Sequence, residues 1–320
     1  MEAQAFDVVV VGGGAAGLSA ALVLGRARRR VAVIDAGAPR NAPAARNSVG
    51  GMPSRDRNPC MWAAGGAEVS GYGVEVVEDQ VLRIDPGFVV HLAGGQALAA
   101  RRLLVATGVG DDLPDIPGVR QRWGRDLLHC PYCHGWEVRD QPLGVLGTHP
   151  GSAQHAQLVR QWSDDVIYFA HTSGLTATEQ AQLEARGIRV VHGEVARLVI
   201  EADSLTGVAL TDGRVIGRNA VFIRPGNRPH ADGLLAALGC ELDQAGFVAV
   251  DATGRTSTGG VWAAGNVVDP RAQVITSAGA GSAAAIALNA DLVQDDVQRA
   301  VQDHDTAGDT RAAVLAASPE

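Results

Sequence analysis

The chain has 320 residues, enough for about two domains at roughly 150 residues each. Hydrophobic residues make up 46% and aromatics only 4%, against 40 glycines, a balance that suits close-packed βαβ units better than a sandwich built on aromatic pairs. The formal net charge of −8 offers no electrostatic footprint for nucleic acid or an anionic membrane.

In chain order, Phe6–Val11 reads as a buried strand, Gly12–Gly17 as a glycine turn, 15–28 as an apolar helix and 30–35 as a second strand, one βαβ unit about 30 residues long. The run Arg26, Arg28, Arg29 and Arg30 decorates the C-terminal end of that helix, where cations suit the dipole. Because the first apolar stretch belongs to this unit, it is not read as a signal peptide. No apolar run reaches the length of a membrane span. A cytoplasmic protein is therefore expected. Residues 36–60, rich in Ala, Pro, Asn and Gly, are expected to form an ordered loop, and 61–72 a short helix. Alternation over 74–105, with turns near 85–87 and 94–95, predicts antiparallel strands ending in a buried strand at 102–106.

The Pro-rich stretch 111–118 predicts a crossover and a domain boundary. A second βαβ pattern follows: strand 142–147, helix 152–163 and strand 165–170. Strands near 188–200 and 205–223 lead to another crossover at 224–229. Residues 246–265 return to strands, 276–299 form an Ala-rich helix, and the last 17 or so residues are expected to fray. The fold class is thus α/β, with two doubly wound Rossmann-like domains of three-layer ββα type, the second inserted in the first. The expected boundaries are 1–113 with 226–320, and 114–225.

Gly12-Gly13-Gly14-Ala15-Ala16-Gly17 fits G-x-G-x-x-G in the required context: after a strand, opening a helix, with Asp35 ending the next strand. Gly12 permits the tight turn, Gly14 a close pyrophosphate approach, and Gly17 close packing of helix on strand; Asp35 is expected to accept from a ribose hydroxyl. Two later segments, Leu103-Leu104-Val105-Ala106-Thr107-Gly108 and Gly260-Val261-Trp262-Ala263-Ala264-Gly265-Asn266, resemble flavin segments of two-dinucleotide flavoproteins. With Ala272-Gln273-Val274 followed by Gly279 and Gly281, the arrangement is similar to low-molecular-weight thioredoxin reductases over residues 5–295. The resemblance implies FAD, a homodimer, and flavin contacts from Gly12, Gly14, Ala16, Gly17, Asp35, Asn47, Val81, Ala106, Thr107, Gly108, Gly265, Asn266, Gln273 and Val274. Where this family carries an acid, Asn266 keeps an acceptor oxygen without the charge.

Four cysteines in 320 residues are too few for a secreted disulfide framework, and a close pair in the cytosol more often means redox or metal chemistry. Cys130-Pro131-Tyr132-Cys133 lies just ahead of the second βαβ unit, where the resembling family places its redox pair facing the flavin. By that resemblance Cys133 faces the flavin and Cys130 exchanges with substrate. His134 follows, an imidazole able to move a thiol proton near neutral pH or simply to bond the loop. C-x-x-C-H is also a haem-attachment pattern, a zinc site could use His129, Cys130, Cys133 and His134, and two structural thiols are a further reading; no metal is the preferred one. Cys60 and Cys240 read as packing residues. The run Cys-Pro-Tyr-Cys-His-Gly-Trp-Glu resembles a subgroup of thioredoxin-reductase-like dithiol oxidases, which close disulfides in small molecules and pass electrons to oxygen.

The second glycine turn is Gly147-Thr148-His149-Pro150-Gly151-Ser152. His149 stands where the fingerprint needs a bare backbone, and Pro150 lacks an N–H for the phosphate cradle. The next strand ends at His171-Thr172-Ser173 with no arginine for a 2′-phosphate and no acid for a ribose. His149 and His171 could contact phosphate if protonated, which leaves a divergent but working NAD(P)H site as an alternative. The expected function is therefore FAD-dependent thiol–disulfide exchange on a small dithiol or disulfide, or on a thioredoxin-like protein, without NADPH, electrons going to oxygen or coming from a donor such as ferredoxin. The alternatives are an NAD(P)H-dependent disulfide reductase and a non-enzymatic flavin redox sensor.

Overall fold

The computed structural model describes residues 3–38, 40, 61–230 and 233–316. The first sheet opens with strand β1 (Gln4–Val11), helix α1 (Ala15–Arg26) and strand β2 (Val31–Asp35). Helix α2 (Met61–Ser70) leads to β3 (Glu75–Glu78), β4 (Val81–Asp85), β5 (Val89–Leu92) and β6 (Ala97–Val105). The strands β3-β2-β1-β6 run parallel, and the far half of β6 pairs in parallel with the late strand Val261–Ala263. The near half of β6 pairs antiparallel with β5, and β5 with β4. Among the expected antiparallel strands of 74–105, only this three-strand meander is antiparallel. β3 joins the parallel sheet instead, because α2 carries the chain across before it, and such a crossover returns a strand in parallel.

Next come β7 (Val109–Asp112), the short helix α3 (Val119–Arg122), β8 (Leu127–Leu128), the helical turn α4 (Pro131–His134), β9 (Leu143–Leu146), α5 (Ser152–Val159), β10 (Val166–Phe169) and α6 (Ala177–Ala185). Then follow β11 (Arg189–Val191), β12 (Val195–Glu201), β13 (Ser204–Leu210), β14 (Val215–Gly217) and β15 (Ala220–Ile223). The order β11-β10-β9-β15-β8 makes a second, all-parallel sheet, and β12-β13-β14 an antiparallel one. Its strands β9, β10 and β15 are buried at every position, as a parallel sheet covered on both faces requires.

β16 (Gly226–Pro229) pairs antiparallel with β7, so the two predicted crossovers lie side by side. The chain ends with α7 (Leu234–Ala237), β17 (Val261–Ala263), a 3-10 turn (Gly265–Val267) and α8 (Val274–Ala316). Several expectations are corrected here. Helix α1 stops two residues early, with Arg28 at φ +63°. Helix α5 ends at Val159. Of the strands expected over 246–265 only β17 forms; the rest are isolated bridges. The helix expected to end near 299 continues to Ala316. Helix α6 was not expected, although Thr176 and Glu179 form a reciprocal capping box that marks its start in the sequence.

Two layers of core sandwich the first sheet. Val8, Val10, Leu24, Leu104 and Leu288 pack on the side of α1 and α8; Val9, Ile34, Leu98, Leu103 and Val90 pack on the meander side. Helix α8 is also tied to β6 by Arg101 to Asp295 and by Arg102 to Asp291. In the second unit, Arg122 is 2% exposed, and its Nε donates to Asp126 at 2.7 Å. Asp126 also accepts from the Leu205 N–H, so the strand that delivers the cysteine pair, β8, is anchored from behind.

Candidate active site

The carboxyl ends of β1, β2, β6 and β17 meet at the point where strand order reverses, between β1 and β6. Ligands of doubly wound sheets bind at this switch point. Gly12 sits there at φ +104°, and a Cβ on it would lie 2.4 Å from the Ala106 carbonyl oxygen, so only glycine fits. A Cβ on Gly17 would strike the Gly12 oxygen at 1.8 Å. Gly14 is the opposite case: a Cβ there would meet nothing within 4 Å, and α1 begins beside it with no side-chain cap and no acid in its first turn. Bare, uncapped N–H groups beside open space are what a phosphate needs. Asp35 accepts from the Gly13 N–H at 2.6 Å and the Gly37 N–H at 2.8 Å, fixing the acid against the glycine turn.

Ala106 is held to β1 by its N–H to the Val11 oxygen at 2.7 Å, with Thr107 and left-handed Gly108 just beyond. Gly265 and Gly281 both close on Ala16: their Cβ positions fall 2.9 Å from its Cβ and 2.0 Å from its carbonyl oxygen. Ala16 is thus the packing point where α8 crosses α1. The Asn266 amide donates to the carbonyls of Asp269 and Ala272, each at 2.9 Å. An aspartate could not make these bonds, which gives the departure from the family acid a local reason: Asn266 ties down the loop into Gln273 and Val274 while its oxygen stays available as an acceptor. Val81 lies apart, with its side chain in the core below the meander, so a cofactor contact there would come from its backbone. Asn47 and Cys60 lie outside the described residues. Cys240 is buried beside the Thr256 hydroxyl, as a packing residue would be. These residues fit the flavin dinucleotide: open glycine, uncapped helix, acid at the second strand, and glycines that let α8 close over.

Cys130 caps α4 in an extended conformation, Pro131 occupies the first helical position, and the Cys133 and His134 N–H groups return to the Cys130 oxygen at 3.1 Å. This turn brings the Cα atoms of Cys130 and Cys133 to 5.2 Å and their sulfurs into disulfide contact. Gly135 is required beneath it, because a Cβ would lie 2.8 Å from the Trp162 ring. The His134 Nδ1 is buried with no hydrogen-bond partner among the described residues; burial lowers the pKa of its ring and the Glu137 charge opposes that shift. No group of three or more His, Cys, Asp and Glu able to hold a metal occurs among the described residues.

At the switch point of the second sheet, Gly147 is again a true tight-turn glycine, its Cβ position 2.7 Å from the Ala170 oxygen. His149 folds back so that Nδ1 accepts the Gly151 N–H at 3.0 Å. The imidazole thereby occupies a donor at the start of α5. Burial and the nearby Arg224 charge push its pKa down. His171 likewise accepts, from the Val195 N–H at 2.9 Å, and burial lowers its pKa. The cleft here is lined by Thr148, His149, Pro150, Thr172, Ser173, Gly174, Thr176 and Glu179, without an arginine or lysine. Sequence reasoning missed Arg224, whose guanidinium lies over Gly151, 2.2 Å from where a Cβ would stand.

This fold and this pair of sulfurs define a flavin-type oxidoreductase acting on sulfur. The chain belongs to the pyridine nucleotide-disulphide oxidoreductase family, whose model matches residues 6–285, and within it is thioredoxin reductase-like. It is 32% identical to the thioredoxin reductase sirT of Leptosphaeria maculans over 89% of this chain and 93% of that one. It is 30% identical to the thioredoxin reductase aclD of Aspergillus oryzae, over 92% and 99%. Among solved structures, the crystal structure of HlmI matches with a TM-score of 0.90 at 55% identity over 95% of this chain and 97% of that one. A putative thioredoxin reductase TrxB from Bacillus anthracis matches with 0.85 at 33%, over 91% and 99%. The family implies FAD as cofactor. No helix among the described residues is long and apolar enough to cross a membrane.

Gly14→Val tests the cradle. Gly14 has φ −73° and ψ −171°, which any residue adopts, so the fold is expected to survive. One FAD per chain is expected for the parent, and at least about tenfold weaker FAD binding for the variant, about 1.4 kcal/mol. Flavin titration of the apoprotein, with circular dichroism as the control, reads this; equal affinity in both would remove the pyrophosphate from Gly14.

Proposed function

We propose that the protein is an FAD-dependent thiol–disulfide oxidoreductase that takes electrons from a small dithiol through Cys130 and Cys133, and does not use NADPH. The observation that carries it is the contrast between two switch points: an open, uncapped glycine turn at Gly12–Gly17, and a turn at 147–152 closed by the His149 ring. In this reading a substrate thiolate attacks Cys130 and Cys133 leaves as a thiolate; the second substrate thiolate then releases Cys130 and closes the substrate disulfide. His134 moves a proton at Cys133. FAD, when bound, supplies the two-electron acceptor that reoxidises the pair, with oxygen as final acceptor, leaving as hydrogen peroxide. The units are 1–113 with 226–320 for FAD, and 114–225 for the cysteine pair.

The test mixes the holoenzyme under argon with dithiothreitol, NADPH or NADH and follows the flavin absorbance. Bleaching by dithiothreitol alone is the expected result. Bleaching by NADPH alone would make the protein an ordinary pyridine-nucleotide-driven reductase.

The family resemblance also supports a cytoplasmic homodimer. Helix α8 exposes Ile286, Val293, Val297 and Val301 at spacings that share one face, an apolar stripe suited to a second copy. Sedimentation of the holoenzyme at twice the 33.0 kDa chain mass is expected, and a monomer at micromolar concentration would overturn it.

A further inference from the structure

We propose that His129 is the proton acceptor on the Cys130 side of the disulfide, and that the buried His155 behind it is a positioning residue. The inference rests on the exchange reaction proposed above and adds residues that it does not use.

The sheet register sets the placement. Leu128 of β8 pairs with Phe222 of β15, so His129 leaves the sheet beside Ile223 and Arg224 and runs directly into Cys130. His155, in the first turn of α5, is 8% exposed. Its ring meets the His129 ring edge-on at 6.3 Å and the Phe222 ring at 6.1 Å. An apolar residue would fill this position at no desolvation cost, yet an imidazole stands there, and among the described residues neither nitrogen finds a hydrogen bond of good geometry. Of the groups that bear on its charge, burial, His129 and Arg224 disfavour the cation, and only the His129 carbonyl favours it. His155 thus faces His129 through both ring and backbone.

His129 is held neutral at the pH of thiol chemistry. Burial pushes its pKa down to about 4, helped by the charges of Arg40, Arg224 and His134 and opposed by Asp111. Arg40 is itself paired through both nitrogens with Asp111, which also accepts from Asn227. A neutral imidazole can take the proton of the attacking substrate thiol and return it to the Cys130 thiolate when the second substrate sulfur displaces it. The balance is one dithiol and one protein disulfide giving one substrate disulfide and two protein thiols. The second substrate proton goes to Cys133 by way of His134.

The experiment is anaerobic flavin bleaching of the holoenzyme by dithiothreitol between pH 6 and 10, for the parent, His129→Gln, His155→Phe, His155→Gln and the His129→Gln/His155→Phe double variant. A base matched to the working pH contributes about 10²-fold or more, and the lowered pKa makes His129 a weaker one, so slowing by about tenfold near pH 7 is expected. The deficit should close at high pH, where the reagent is already a thiolate and needs no base. Both His155 variants should share this profile, and the double variant should be no slower than His129→Gln. Dithionite bleaching, which bypasses the thiols, should be unchanged throughout. A pH-independent loss, multiplicative effects in the double variant, or a parent-like His129→Gln would overturn the assignment. Failure of the parent itself to bleach would instead remove the exchange reading on which it rests.

Discussion

Cys133→Ser is expected to abolish flavin reduction by dithiols, and Cys130→Ser to block it as completely at the exchange step. The two residues share one turn, their Cα atoms 5.2 Å apart, and the reaction needs a sulfur–sulfur bond that a substrate thiolate can open. A serine hydroxyl forms no such bond and is not ionised at neutral pH. Removal of a nucleophile that works as part of a unit typically costs the whole effect, here at least about 10³-fold. FAD content should be unaffected, because the flavin cradle at Gly12–Gly17 and Gly265 is formed by other elements. Stopped-flow bleaching by dithiothreitol under argon measures the effect, and thiol turnover at the parent rate in both variants would move the chemistry elsewhere.

NADPH is expected to reduce the flavin at least about 10²-fold less effectively than a working pyridine nucleotide site would allow. Three features act together. The His149 ring takes the Gly151 N–H, Pro150 offers none, and the cleft lining carries Glu179 and no arginine or lysine, although Arg224, outside that lining, lies over Gly151 and is a nearby cation that a phosphate could meet. A phosphate contact to a charged partner typically contributes about 1.5–3 kcal/mol, and about 1.4 kcal/mol is tenfold in affinity. Protonation of His149 or His171 would supply a positive charge, but burial lowers the pKa of both, and both use a ring nitrogen as acceptor. Acid therefore offers rescue only below the ordinary histidine range. The measurement is NADPH titration of the oxidised holoenzyme between pH 6 and 8; rapid bleaching at micromolar NADPH would restore a pyridine-nucleotide-driven reaction.

The parallel framework was legible because its signals are local. Period, glycine turns and crossover prolines locate β1, α1, β2, β9, α5 and β10 to within a few residues. The errors lie where partners are distant. β3 joins β2 because α2 returns the chain in parallel, which alternation alone cannot report. Residues 246–260 have strand-like composition but find only isolated bridges. Of the candidate site, the glycines and the cysteine pair could be read from spacing. Arg224 and His155 could not, since nothing in sequence says that a residue after β15 lies over Gly151, or that a helix residue meets the ring before Cys130. Helix α6 is different: its capping box, Thr176 with Glu179, is a local signal present in the sequence.

The nesting of the strands also dictates the order in which a growing polypeptide can complete its parts. Synthesis delivers β1 through β6 early, but the far half of β6 waits for β17, and Ala16 waits for Gly265 and Gly281. Between those events the ribosome produces the whole of the second sheet, whose strands need nothing from the late segment. The nested unit can therefore fold while its host is still missing an edge strand and the helix α8, and an unpaired edge is a surface prone to wrong pairing. The host sheet and the packing at Ala16 are therefore completed only once β17 and α8 have been made.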